Sequence, residues 1–71
     1  MFMFEAFKMF DPYSILGMSF TEAKEVSERF GYSLLVEVED GFQIGLALDY
    51  DFRRIHVEVE NAKIVNVVGL G

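Results

Sequence analysis

Two adjacent arginines follow a short acidic stretch in residues 47–60, "ALDYDFRRIHVEVE". A guanidinium presents a planar fork of donors that suits carboxylates and carbonyl oxygens. The Arg53-Arg54 pair therefore either solvates a turn or grips the carboxylates and carbonyls of the segment just before it, and in the second case Leu48 and Asp49 sit at the tip of a braced loop. Neighbouring residues of a strand point to opposite sides, so if Arg54 braces the loop, Arg53 is the solvated member. The chemistry of such a tip is recognition.

Equipment for catalysis is sparse. His56 is the single histidine, which excludes a two-histidine metal site within one chain and argues against a hydrolytic triad. Between Ile55 and Val57 it reads as a solvated or hydrogen-bonded strand residue. With no cysteine there is no thiolate zinc site and no cysteine nucleophile. Glu37/Glu39 and Glu58/Glu60 form i, i+2 pairs, the ordinary solvent side of alternating strands. Gly41 and Gly45 lack the lysine and the strand-to-helix context of a phosphate loop. The expectation is a protein that is not an enzyme and needs no metal or cofactor.

A net charge of −6 disfavours direct nucleic-acid binding, which depends on Lys and Arg displacing counterions. It suits solubility or a basic partner. No apolar run approaches the roughly 20 residues of a membrane span. The opening "MFMFEAFKMF" is interrupted by Glu5 and has neither a preceding basic region nor a following small-residue cleavage site, so it does not read as a signal peptide. The compartment is left open.

The elements that must position these residues make an α+β domain over residues 1–71: an apolar segment and linker at 1–18, then a helix and sheet at 19–71. Phe2, Met3, Ala6, Phe7 and Phe10 recur at helical spacing until Asp11-Pro12 stops them. Residues 13–18 form a linker lying against the core. Ser19 and Glu22 make an S-x-x-E capping box. Phe20, Ala23, Val26 and Phe30 share the face that follows, and Gly31 closes the helix. Tyr32, Leu34, Val36 and Val38 alternate, as do Phe42, Ile44, Leu46 and Leu48, and then Ile55, Val57 and Val59, before "KIVNVV" ends the series. Asp40-Gly41 is a strong hairpin signal and Asn61-Ala62 a weaker one. Read locally, this is one helix followed by a four-stranded antiparallel meander.

Three pieces, in order, resemble the potato inhibitor I family, which includes eglin and its bacterial relatives. They are "LGMSFTEAKEVSERF", "ALDYDFRRIHVEV" and "NAKIVNVVGLG", and together they cover residues 16–71. The resemblance implies one helix on a small sheet, preceded here by an extra apolar segment, and a loop inserted between two parallel strands. It also implies serine protease inhibition: the loop enters the enzyme like a substrate and resists release. Leu46, Ala47, Leu48, Asp49, Tyr50 and Asp51 would form that loop, with the scissile bond after Leu48. Arg54 would support it, and His56 would support it more weakly. The partner would be an enzyme of chymotrypsin or subtilisin type with an apolar specificity pocket. The chain departs from the family at Ala47, where Thr is usual, and at Val68, where Pro is usual.

Two other readings stand beside this one. The fold could serve as a non-inhibitory interaction module, paired as a homodimer through the stripe of Phe2, Phe7 and Phe10. Alternatively, the seven acids between Glu37 and Glu60 could mimic phosphates, since alternate strand residues repeat at roughly 6.6 Å. Such a mimic would block a basic nucleic-acid-binding site.

Overall fold

The computed structural model describes residues 10 to 71. Helix α1 (Phe20–Arg29) is bounded by local chemistry at both ends. At its start the Ser19 hydroxyl accepts the Glu22 N–H at 3.1 Å. At its end Gly31 adopts φ 82°, its N–H bonds Glu28 O, and the Tyr32 N–H bonds Ser27 O. That pair of bonds is a Schellman motif, and the left-handed residue it requires is the glycine.

Four strands follow: β1 (Ser33–Glu39), β2 (Phe42–Gln43), β3 (Arg54–Glu60) and β4 (Lys63–Leu70). Their order in the sheet is β2-β1-β3-β4, with β1 and β3 parallel and the other two pairs antiparallel. Both hairpins turn through residues with positive φ, Asp40 (48°) with Gly41 (86°) and Asn61 (51°) with Ala62 (64°). This geometry matches the twist of the flanking strands. The Asp40 carboxylate accepts the Asn61 N–H at 2.8 Å and ties the two turns together.

The local expectation of an antiparallel meander is therefore corrected to a mixed sheet. β2 pairs with β1 only at Phe42 and Gln43. The predicted strand over 42–48 then leaves the ladder, because Gly45 passes directly over β1: a Cβ on Gly45 would lie 2.2 Å from Val36 O. β3 takes the other edge of β1, and residues 44–53 become the connection between two parallel neighbours.

Ile15, Ala23, Ile55, Val57, Val59, Ile64 and Val67 are buried and form the core, with Leu34, Val36 and Tyr32 packed against it. β3 supplies the central row, as its alternation requires. The helix rests on this row through the small residues Ala23 and Ser27. Of the expected helical face, Phe20 and Val26 are half-buried and Phe30 is exposed. A close helix–sheet approach through small residues displaces the large ones to its margins. Residues 12–15 form a 3-10 turn that places Ile15 in the core, so the linker does lie against it.

The helix expected over residues 1–10 and the interface drawn through Phe2 and Phe7 lie outside the described residues. Phe10, the last of that stripe, packs within its own chain, stacking on Phe30 at 4.8 Å and tilting on Tyr32 at 5.3 Å between ring centroids. Among the described residues no helix is long and apolar enough to cross a membrane.

Candidate functional site

The connection from Ile44 to Arg53 is held at both roots and, at its middle, from below through Asp49. At the first root the N–H groups of Ile44 and Gly45 both reach Glu37 O, at 2.7 and 3.2 Å, and the Gln43 side chain donates to Gly45 O at 2.9 Å. At the second root the Asp51 carboxylate accepts the Arg53 N–H at 2.9 Å, and Asp51 O accepts the Arg54 N–H at 3.0 Å. Between the roots the chain bends at Leu48 and Asp49.

Leu48 is 92% exposed, the highest exposure among the large apolar side chains described. Leu46 and Tyr50 are also exposed, and Ala47 is half-buried. With Phe42, Ile44 and Phe52, every even position from 42 to 52 presents a large apolar side chain to solvent. The alternation in the sequence is real, but here it marks a display rather than a buried strand face. So many large apolar side chains exposed along one segment usually mark a place of contact with another molecule.

Arg54 lies beneath this loop, with 18% of its side chain exposed. Its Nη2 donates to Asp49 O at 2.6 Å and to Asp49 Oδ1 at 3.3 Å, and its Nε donates to Gly71 O at 2.8 Å. The Gly71 N–H returns a bond to Arg54 O at 3.0 Å. One guanidinium thus spans the loop tip and the end of β4. The contact expected between Arg54 and Asp49 is present, whereas Asp51 is engaged by backbone N–H groups instead.

One expectation for a support residue is corrected, that for His56. Arg53 is exposed, as expected, and from there its Nη1 donates to Phe30 O at 3.0 Å while its guanidinium lies over the rings of Tyr32 and Phe52. Strand alternation does send it away from Arg54, but that side holds the end of α1. His56 does not reach the loop. Its Nδ1 meets the Glu37 carboxylate at 2.6 Å across the β1–β3 pair, where the register shifts between Val36 and Val38. Its link to the loop is indirect, through the Glu37 carbonyl that holds Ile44 and Gly45.

Sequence reasoning passed over Gly45 as a structural residue. Its only signal was a glycine inside an otherwise regular apolar alternation, which marks a close backbone approach. Among the described residues no cluster of three or more His, Asp or Glu side chains is disposed to hold a metal ion. The Glu pairs 37/39 and 58/60 sit on β1 and β3, and among the described residues only Glu37 of the four makes a side-chain hydrogen bond, with His56. No protein-family model, curated protein or solved structure matches this chain.

Proposed function

We propose that this protein inhibits serine proteases by presenting residues 46–51 as a substrate-like loop, with Leu48 entering the specificity pocket. The observation that carries this reading is a fully displayed apolar residue on a loop whose next residue is clamped from below. Leu48 is 92% exposed, and Asp49 is held through its own carbonyl by Arg54. An apolar side chain of this size fits the pockets of chymotrypsin-type and subtilisin-type enzymes.

The clamp supplies a physical reason for inhibition rather than digestion. In acyl transfer the catalytic serine attacks the Leu48 carbonyl carbon, and the amine of Asp49 departs as the peptide bond breaks. Arg54 retains Asp49 beside the acyl group, so the amine is poised to re-form the bond. Bracing before binding also reduces the ordering entropy lost on association. Ala47 contributes no hydroxyl to this bracing, so Arg54 carries more of it.

On this reading the protein performs no chemistry of its own, and its partner is a protease. The direct test is prolonged incubation with a subtilisin-type enzyme followed by mass spectrometry. A single slow cut between Leu48 and Asp49, with both pieces still associated, is expected. Rapid cleavage at many sites, or a first cut elsewhere, overturns the proposal and leaves a non-inhibitory interaction module.

A further inference from the structure

We infer that Arg53 is a second positioning residue of the loop, fastening its C-terminal root to the end of α1. The inference rests on the inhibitor reading for its consequence, but its geometry stands apart from Arg54. The Arg53 backbone belongs to the loop root: its N–H bonds the Asp51 carboxylate and its carbonyl accepts the Ser33 N–H at 2.9 Å. Its side chain reaches 23 residues back along the sequence to the Phe30 carbonyl, the C-cap of the helix. The last carbonyls of a helix lack intrahelical donors and carry partial negative charge, so a cation is favoured there.

Two further features show that the guanidinium has a built seat. Its carbon lies 5.1 Å from the Tyr32 ring centroid and 5.9 Å from that of Phe52, within cation–π range. A Cβ on Gly31 would stand 3.1 Å from Nη1, so the helix-capping glycine also clears room for Arg53. Phe10 packs against two residues of the seat, stacking on Phe30 and tilting on Tyr32. The loop is thus clamped by neighbouring arginines pulling to opposite sides, one to Gly71 and one to the helix end. A planar guanidinium can lie over the rings and donate to the carbonyl at once, which an ammonium does less well.

The test compares wild type with Arg53→Met, Arg53→Lys and Phe10→Ala by amide hydrogen exchange and by the rate of clipping at Leu48–Asp49. In Arg53→Met the amides of positions 51, 53 and 54 should exchange roughly three- to tenfold faster, the range one modest hydrogen bond controls. Clipping should accelerate by a similar factor, while the amides of Val57 and Val59 keep their protection. Arg53→Lys should recover part of the loss, and Phe10→Ala should shift the loop amides in the same direction by less. Loop amides that exchange at the wild-type rate, or that accelerate only in step with Val57 and Val59, overturn the inference. If wild type neither inhibits nor is clipped, the inhibitor reading fails, and the exchange measurement alone decides whether Arg53 orders the root.

Discussion

Arg54 concentrates the account at the scale of one side chain. Its three donated hydrogen bonds join Asp49 to Gly71, and its partial burial shields them from water. The ion-pair component alone is modest, since Asp49 is 80% exposed at its side chain. The bond to the Asp49 carbonyl matters more, because it fixes backbone next to the proposed scissile bond. Replacing Arg54 with Ala should remove on the order of 1.5–3 kcal/mol of bracing. The variant should keep its circular dichroism spectrum yet be cut at Leu48–Asp49 far faster than wild type, as followed by chromatography of the products. Gly45 sets the opposite root. A methyl group there meets Val36 O at 2.2 Å and must push the chain off Glu37. Gly45→Ala should therefore weaken inhibition about as much as losing Arg54, with the Ile44 amide losing its exchange protection.

Among the elements, the helix and β3 were legible in the sequence because their signals are local. Ser19, Gly31 and the Ile55-Val57-Val59 row each act within a few residues. The parallel pairing of β1 with β3 was expected only through the family resemblance and not from local signals, because it is a long-range choice that no adjacent turn dictates. Phe42, Ile44, Leu46 and Leu48 misled for a related reason: alternation signals a strand whether or not a partner edge exists. Arg53 is exposed on the expected side, but its contact with the helix end was not legible, because periodicity gives direction and not what lies in that direction. The helix also carries a testable flaw. Ser27 is fully buried, and its hydroxyl has no hydrogen-bond partner among the described residues. Such a group costs about 1–3 kcal/mol. Ser27→Ala should raise the urea midpoint by an amount equivalent to about 1 kcal/mol without touching the loop.

For the whole molecule, small size separates what holds the fold from what displays the loop. Among the described residues the core rests on seven buried apolar side chains, with β3 at its centre, and a domain this short has little stability to spare. Ile55→Val removes one methylene from a site with no exposure and should cost about 1 kcal/mol. That loss should lower the melting temperature by about 4–8 °C. Inhibition measured well below the melting temperature should stay at the wild-type level, since neither the loop nor its clamps change. The central claim is that a Leu48-led loop blocks an apolar-selective serine protease. It is tested most directly by titrating a subtilisin-type and a chymotrypsin-type enzyme with wild type and with Leu48→Asp while residual activity is recorded. The account predicts a stoichiometric fall in activity for wild type with at least one of the enzymes, and no fall for Leu48→Asp at equal folding. Full residual activity at excess wild-type protein with both enzymes, or equal inhibition by Leu48→Asp, would contradict it.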